Sequence, residues 1–332
     1  MSDSYEDERA VAFEAVQAAA ELTESVRDQM GEVLEKDDRT PVTVADFGSQ
    51  ALICRALLEA FPQDPVIGEE DSSALQVPDN ADVRDRVVEH VRAHHTNAQP
   101  EGVYTWIDHG TARNYSDRFW TLDPIDGTKG FVRGDQYAIA LALIVDGIPQ
   151  VAALCCPHLP SSLDAEHPET RGRAFLAVRD EGAWQRPLAD DGAPTPIHTS
   201  NTTDPSASRF TESFVSSHSS RGLAAEAADK LGITAEPVRI DSQAKYAIVA
   251  KGNAEIYLRL PRPGTDYTER IWDHAAGALV VQAAGGAVTD MHGRPLDFTH
   301  GPLLKENTGV VATNGPVHDD VIAALRAASE ES

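Results

Sequence analysis

Two aspartates separated by a proline and an isoleucine are the feature of this sequence with the clearest chemical meaning. Asp123 and Asp126 stand in the segment WTLDPIDGTKGFVRG, and a Gly-Thr-Lys-Gly run follows them directly. Carboxylates are typical Mg²⁺ ligands, usually a few of them together with water and substrate phosphate. Because Pro124 restricts the backbone, we expect both carboxylates to face one point, with the Ile125 carbonyl free as a further oxygen ligand. The alternative is a tight acidic turn with a structural role.

The residues after the second aspartate favour phosphate binding. Gly127 and Thr128 are expected to expose backbone amides at a helical turn, and such amides bind phosphate well. The Thr128 hydroxyl, paired with a carboxylate such as Asp46, could take the proton from an attacking water. The segment therefore predicts a site at which divalent cations meet a phosphate.

Further carboxylates stand at the ends of predicted strands or the starts of predicted helices. They are Asp46 in VTVAD, Glu69 and Glu70 in VIGEED, and Asp273 in IWDH. Taken singly, Asp46 and Asp273 are most simply explained as helix N-caps, and GEED as a solvated acidic loop. If no metal site existed, all of these structural explanations would have to be correct at once. The joint pattern therefore favours a metal site whose ligands converge from several loops.

Composition describes a globular chain and excludes some classes of partner. The 332 residues are 41% hydrophobic and 24% charged, and no long uncharged apolar run could span a bilayer. A net charge of −25 argues against non-specific binding to nucleic acid or to an anionic membrane. If the substrate is a phosphate ester, metal ions would have to reverse this negative charge locally. Adaptation to a salty cytoplasm is an alternative explanation of the acidity. The acidic N-terminus lacks the features of a signal peptide, so we expect a cytoplasmic protein. We also expect a monomer with a small-molecule substrate.

Cysteine usage adds no metal or disulfide framework. Cys54, Cys155 and Cys156 are odd in number, and two of them are adjacent. We expect buried, reduced thiols, with redox activity of the adjacent pair as the less favoured alternative.

The first half of the chain is typical of helices packed on an antiparallel sheet. Residues 8–35 have helical periodicity, and Asp46 is expected to cap a helix that Pro62 ends. Two apolar runs joined at Asp146-Gly147 predict a hairpin, and a second is predicted around Glu181-Gly182. Residues 78–98 are predicted helical, residues 99–118 irregular, and residues 185–208 a linker.

The second half alternates between predicted strands and helices, which is typical of an α/β layer domain. Asp273 is expected to cap the helix HAAGALVVQAAGG. We therefore predict an α/β protein with an α+β domain over residues 1–200, which carries the antiparallel sheet and most candidate ligands. An α/β domain over residues 201–332 is predicted to carry Asp273.

The three carboxylate segments together resemble a known family. GEE, DPIDGT and WDHAAG are similar to the signature of the magnesium-dependent, lithium-sensitive phosphatases that include inositol monophosphatase and fructose-1,6-bisphosphatase. Longer segments resemble the 3'(2'),5'-bisphosphate nucleotidase branch: PVTVADFGSQ, FWTLDPIDGTKGFVRGDQYAIALALIVDG, RIDSQAKYAIVAKGNAEIYLRLP and ERIWDHAAGALVVQAAGG. That branch removes the 3'-phosphate of adenosine 3',5'-bisphosphate, a by-product of sulfate-donor metabolism. The resemblance covers nearly the whole chain and implies a layered αβαβα sandwich with a metal site between two domains.

The resemblance also implies a role for each matching residue. Two or three magnesium ions would be held by Glu69, Asp123, Asp126, Asp273 and the carbonyl of Ile125. Asp46 and Thr128 would activate the attacking water. Substrate would be bound by Gly127, Thr128, His218, Ser242, Lys245 and Arg259. Without the resemblance, the favoured explanations are structural. Lys245 would be a helix-surface lysine, Arg259 an outward strand residue and His218 a capping or core-edge histidine.

Several alternatives stay open at the level of sequence. DPIDGT does not separate nucleotide from inositol phosphate substrates, although DSQAKY, SSHSS and the chain length favour the nucleotide. The preference between adenosine 3',5'-bisphosphate and its sulfated parent, 3'-phosphoadenylyl sulfate, is also open. A non-catalytic protein that binds nucleotide or metal, and a purely structural acidic protein, are the alternatives of a different class. Two segments, IDHGTARNYSDRFW and LPRPGTDYTER, depart from the family pattern near the expected mouth of the site.

Overall fold

A computed structural model describes residues 5–29, 40–160, 162–163, 171–188, 192–214, 221–261, 264 and 267–331. Within these residues the strands form two sheets. The strands of the first sheet lie in chain order: β1 (Val66–Gly68), β2 (Arg118–Asp126), β3 (Ala138–Val145), β4 (Ile148–Pro160), β5 (Arg171–Val178), β6 (Gly182–Pro187) and β7 (Thr195–Pro196). β1 pairs with β2 in parallel, and the other neighbours pair antiparallel. The predicted antiparallel sheet and both predicted hairpins are confirmed.

The second sheet is mixed and lies C-terminal to the first in sequence. Its strands are β8 (Phe210–Glu212), β9 (Val238–Arg239), β10 (Ile256–Arg259), β11 (Ala287–Thr289) and β12 (Val310–Thr313), in the order β11-β12-β10-β8-β9. The helices are α1 (Glu6–Asp28), α2 (Thr40–Ala60), α3 (Ala81–His94), α4 (Pro100–His109), α5 (Thr128–Arg133), α6 (Arg221–Leu231), α7 (Ala244–Ala250), α8 (Ala275–Ala283) and α9 (His318–Glu331).

Helices and sheets alternate as five layers. α1 and α2 cover one face of the first sheet, α7 and α8 lie between the two sheets, and α6 and α9 cover the outer face of the second sheet. β3 shows why the first sheet is buried on both faces. Its alanines pack toward α8 while Ile139, Leu141 and Leu143 pack toward α1 and α2. The predicted layered αβαβα sandwich is confirmed.

Two local predictions in the first half of the chain are wrong. α2 begins at Thr40, with Pro41 in its first turn, so Asp46 lies inside the helix and does not cap it. Residues 99–118 are not all irregular, because Pro100 starts α4 and buries Val103 and Ile107 one helical turn apart.

The other boundaries are shifted in smaller ways. α8 begins at Ala275 and its N-cap is His274, so Asp273 precedes the cap. β7 lies within the predicted linker and pairs with β6. α1 ends at Asp28, and the last part of the predicted helix, residues 30–35, lies outside the described residues.

The cysteines are buried and unpaired, as expected. Burial raises the pKa of the thiols of Cys54, Cys155 and Cys156. Raised thiol pKa values disfavour the reactive thiolate, which supports packing over redox chemistry. No helix within the described parts of the chain has the length and apolar character needed to cross a membrane.

Candidate active site

A β-bulge brings the two aspartates of DPID to the same face of the first sheet. In a regular strand, residues three apart point to opposite faces. Asp123 pairs with Ala140 and Asp126 pairs with Ala138, so the register shifts between them and β2 holds one residue more than β3. The extra residue offsets the alternation of side-chain direction along the strand. Both carboxylates therefore face the layer that contains α7 and α8. DPID is therefore a bulged strand end, not the simple turn that Pro and Gly suggest.

A third carboxylate completes a compact cluster. Asp273 lies just before α8, and Asp123, Asp126 and Asp273 each offer an oxygen within 4.8 Å of the others. Glu69 follows β1 and lines the same cavity as Asp126 and Asp273. Residues that are far apart in sequence thus supply one acidic centre, as the sequence predicts.

One buried oxygen of this cluster has no protein partner. Asp123 is 2% exposed, and its Oδ1 accepts no hydrogen bond. Burial, followed by the charges of Glu69 and Asp126, raises the pKa of Asp123 well above its ordinary value. An unpaired buried carboxylate is costly, and a hard cation with oxygen ligands would remove that cost. The residues present therefore fit a divalent cation.

The same crowding affects the other carboxylates. Burial raises the pKa of Asp273 to about 6, with Asp126 adding to the shift and His274 opposing it. Glu69 keeps an exposed surface, but restricted solvation of its carboxylate, together with Asp273 and Glu70, raises its pKa to about 8. The centre is thus electrostatically strained when no cation balances it.

This strain predicts a pH dependence of stability in the metal-free protein. Carboxyl groups with ordinary pKa values near 4 in the unfolded chain titrate at about 6 (Asp273) and about 8 (Glu69) in the fold. The folded state therefore holds protons more tightly, and its stability falls as pH rises through this window. We expect the melting temperature in EDTA to fall from about pH 5 to about pH 8, and added Mg²⁺ to reverse the fall. Identical profiles with and without Mg²⁺ would contradict a metal centre here.

Asp46 and Thr128 come from two elements that pack together. Asp46 lies on α2, where burial first and then Glu70 and Glu69 raise its pKa well above the ordinary value. Thr128 is the first residue of α5, is exposed and lines the cavity. α2 contacts α5, and Ser49 Oγ donates to the Pro124 carbonyl at 3.1 Å, which ties α2 to the bulge. Among the described residues no hydrogen bond joins the Thr128 hydroxyl to Asp46, so their pairing stays a prediction.

Two glycines allow the chain to turn from the bulge into α5. Gly127 has φ of 93°, a conformation that favours glycine. A methyl group at Gly130 would lie 2.2 Å from the carbonyl oxygen of Gln136. The GTKG run therefore has a steric reason that the sequence alone does not show. The side chain of Ile125 packs in the core beneath α1 and α2, and its carbonyl as a ligand stays a prediction.

Lys245 and Arg259 bring positive charge to the same cavity. Lys245 is 5% exposed, and its Nζ donates to Ser213 Oγ at 3.1 Å. Burial lowers the pKa of Lys245 to about 8, against the opposing effect of Asp126. Arg259 ends β10, and its Nε donates to Glu269 Oε1 at 3.1 Å. Lys245 is therefore not the surface lysine that its helix position alone would suggest.

Two positioning residues were not identified from the sequence. The Gln243 amide N–H donates to Asp126 Oδ2, and its side chain donates to the Trp272 carbonyl and accepts from the Gly277 amide. Glu269 accepts from Arg259 and is also paired with His274 at 3.1 Å. Gln243 lies in DSQAKY, so the motif was a usable signal, whereas no pattern marked Glu269.

Ser242 adopts an unusual backbone conformation directly before Gln243. Its φ is 68°, and its Oγ accepts from the Ala244 amide at 3.2 Å. Ser242 lines the cavity, as the resemblance implies for a substrate-binding residue. His218 lies outside the described residues, so its role stays a prediction.

The cavity that these residues enclose has a volume of about 880 Å³. This volume suits a small organic ligand. Its lining combines acidic, basic, small and aromatic residues: Glu69, Arg113, Asp126, Gly127, Thr128, Lys129, Gly130, Ser213, Asp241, Ser242, Gln243, Lys245, Tyr257, Arg259, Leu260, Pro261, Tyr267, Glu269, Arg270, Trp272, Asp273 and His274. Arg113, from the first segment that departs from the family pattern, donates to the carbonyls of Gly68, Gly110 and Ala112 and so closes one edge.

Solved structures of inositol monophosphatases share this fold. An inositol monophosphatase from Anabaena (Nostoc) sp. PCC 7120 superposes with a TM-score of 0.60 at 21% identity, covering 96% of this chain and 94% of that one. One from Zymomonas mobilis superposes with a TM-score of 0.63 at 18% identity, covering 98% and 99%. At these identities the likeness shows the fold alone.

Sequence comparison shows the family. The model of the inositol monophosphatase family matches residues 4–331, and the chain belongs to this family. A Schizosaccharomyces pombe protein named 3'(2'),5'-bisphosphate nucleotidase is 42% identical over 346 residues, which cover 99% of this chain and 97% of that protein. Proteins of the same name from Emericella nidulans and Dictyostelium discoideum are 40% and 39% identical, each covering at least 96% of both chains.

Proposed function

We propose that this protein is a magnesium-dependent, lithium-sensitive phosphatase that hydrolyses the 3'-phosphate of adenosine 3',5'-bisphosphate to yield AMP and phosphate. 3'-Phosphoadenylyl sulfate is proposed as a second substrate, which would place the enzyme in sulfur metabolism. The observation that carries the proposal is the pairing of two unlike sites in one cavity. The carboxylates suit a metal-assisted phosphate centre, and Lys245 and Arg259 suit a second phosphate that is not cleaved. The names of the relatives from Schizosaccharomyces pombe and Emericella nidulans, 3'(2'),5'-bisphosphate nucleotidase, support a nucleotide bisphosphate substrate.

Each group of residues has a separate task in this proposal. Asp123, Asp126, Asp273, Glu69 and the Ile125 carbonyl would hold Mg²⁺, which when bound supplies Lewis-acid stabilisation of the charge on the phosphate. The Thr128 hydroxyl would accept the proton of the attacking water while its own proton passes to the Asp46 carboxylate, which would end the step protonated. The raised pKa of Asp46 makes it a better base than an ordinary aspartate.

The other residues position the substrate. Gly127 and the first amides of α5 face the phosphate that leaves, while Lys245 and Arg259 bind the phosphate that stays. Ser242 and His218 are proposed to contact the nucleotide. Gln243 holds Asp126 through its backbone amide and so keeps one ligand in place.

The deciding experiment compares two substrates under one set of conditions. Phosphate release is measured from adenosine 3',5'-bisphosphate and from inositol 1-phosphate, with Mg²⁺ and with or without Li⁺. We expect fast release from the nucleotide that Li⁺ inhibits. A preference for the inositol ester would keep the metal chemistry and overturn the substrate. Metal and nucleotide binding without release from either ester would establish the non-catalytic alternative.

Removal of the Thr128 hydroxyl should slow catalysis without loss of metal. General acid–base assistance typically contributes about 10²- to 10⁴-fold to a rate. We therefore expect Thr128→Ala to lower kcat by about 10²-fold or more, with an unchanged Mg²⁺-induced rise in melting temperature. Thr128→Ser, which keeps a hydroxyl, is the matched control and should retain most activity. An unchanged kcat in the alanine variant would remove Thr128 from the proton transfer.

A further inference from the structure

One wall of the cavity is aromatic, and its members differ in how they are held. Tyr257 and Trp272 are 5% and 8% exposed. The Tyr257 ring packs edge-on against Tyr246, and the Arg270 guanidinium covers the Trp272 ring. Both are thus committed to contacts within the protein. Tyr267 lines the same cavity and is 56% exposed.

Tyr267 is the member of this wall that is left for a ligand. Within the described parts of the chain, neither its ring nor its hydroxyl has a stacking or hydrogen-bond partner. Aromatic side chains gain much of their stabilisation by burying their faces, so an open ring at the wall of a site offers contact area for a ligand.

The ring of Tyr267 lies close to the chemistry. Partial burial, with the charges of Asp273 and Glu269, raises the pKa of its hydroxyl to about 12, against the opposing effects of Arg259 and Arg270. The pKa of the Tyr267 hydroxyl therefore depends on the carboxylate centre and on Arg259, the cation assigned to the second phosphate. Because Tyr267 lines the same cavity as Asp273 and Arg259, a ligand that fills this cavity can contact the ring.

The backbone that follows Tyr267 is anchored. Glu269 accepts from the Leu304 amide at 2.9 Å, and Ile271 donates to the Pro302 carbonyl at 3.1 Å. The Glu269 side chain is held by Arg259 and His274. The backbone that follows Tyr267 therefore needs no further ordering when a ligand packs on the ring.

The shape of an aromatic platform selects among phosphate esters. A purine presents a flat π-face that stacks on an aromatic ring, whereas an inositol ring carries hydroxyl groups all round and has no such face. We infer that the Tyr267 side chain stacks on the base of the nucleotide and makes the enzyme prefer base-bearing bisphosphates over sugar or polyol phosphates. This inference rests on the proposed function. Tyr267 lies in LPRPGTDYTER, the second of the two segments near the expected mouth of the site.

The test separates the base from the phosphates. Tyr267→Ala is assayed on adenosine 3',5'-bisphosphate and on methyl β-ribofuranoside 3,5-bisphosphate, which keeps the ribose and both phosphates but lacks the base. We expect kcat/KM on the nucleotide to fall by about tenfold or more, mainly through KM, because stacking acts equally before and in the transition state. On the base-free ester the variant should match the wild type. Tyr267→Phe, which keeps the ring, should match the wild type on both.

The controls distinguish failure of the inference from failure of the proposed function. Tyr115→Ala removes another exposed tyrosine that does not line the cavity and should change neither activity. An unchanged Tyr267→Ala, or an equal loss on both esters, would overturn the stacking role while the nucleotidase activity of the wild type stands. A wild type that does not hydrolyse the nucleotide would overturn the proposed function and this inference together.

Discussion

Replacement of Asp123 by asparagine should abolish phosphate release and stabilise the metal-free protein at the same time. Asp123 is buried among like charges, and one of its oxygens has no partner. The neutral amide removes the repulsion, and we expect a gain of about 1–2 kcal/mol in the free energy of unfolding in EDTA at neutral pH, a size common for stabilising substitutions. The same change removes a ligand of the cation. Since a metal ion contributes several kcal/mol to such a transition state, kcat should fall by roughly 10³-fold or more.

Urea unfolding in EDTA and in excess Mg²⁺ measures both effects. Mg²⁺ should raise the midpoint of the wild type and leave that of Asp123→Asn nearly unchanged. Asp79→Asn makes the same change of charge on an exposed residue and should affect neither stability nor activity measurably. A destabilised and active Asp123→Asn variant would mean that Asp123 has a structural role and holds no metal.

Replacement of Lys245 by methionine should produce a defect that depends on the second phosphate. Methionine keeps much of the apolar stem that packs at this buried position but carries no charge. Truncation of one partner of a buried, hydrogen-bonded charge pair costs about 2–5 kcal/mol. We therefore expect kcat/KM for adenosine 3',5'-bisphosphate to fall by about 30-fold or more. Adenosine 3'-monophosphate, which lacks the 5'-phosphate, should be hydrolysed as fast by the variant as by the wild type.

The ratio of the two kcat/KM values is the informative measurement, because burial raises the pKa of Asp126 and Lys245 opposes that rise. Loss of that effect would weaken metal binding and would slow both substrates equally. Saturation with Mg²⁺ controls for it, and a matched Mg²⁺ titration of the melting temperature shows whether saturation is reached. An equal loss on both substrates at saturating Mg²⁺ would place Lys245 at the metal centre and away from the second phosphate.

The sequence predicted elements whose cause is local. The hairpins at Asp146-Gly147 and Glu181-Gly182 have turn residues with positive φ, at Asp146, Gly147 and Gly182. The apolar runs beside these turns form the strands of the first sheet. Turn chemistry and the period of the apolar pattern both operate over a few residues, so the sequence carries this information directly. Between residues 99 and 118 the local signals competed: Val103 and Ile107 have helical spacing, but the polar segment HGTARNYSDR, which begins at the last residue of α4, favoured a loop.

The carboxylates of the site were recognised by residue type, but their roles depended on packing. Asp46 and Asp273 were each explained by a capping role as well as by a catalytic one. The structure removes the capping explanation, because α2 begins before Asp46 and α8 begins after His274. Helix boundaries are the least reliable part of a prediction from sequence, so the capping explanation could not be decided before the structure.

By itself, the sequence determined the kind of chemistry available to this protein, through hard oxygen ligands, a hydroxyl and two cations in recognisable segments. Only the tertiary structure decided which of these groups meet. The bulge that turns Asp123 and Asp126 to one face, the burial of Lys245, and the use of Gln243 and Glu269 as supports all depend on contacts between distant segments. Such contacts follow from how two sheets and the helices between them pack, and periodicity along the chain does not encode distances across it.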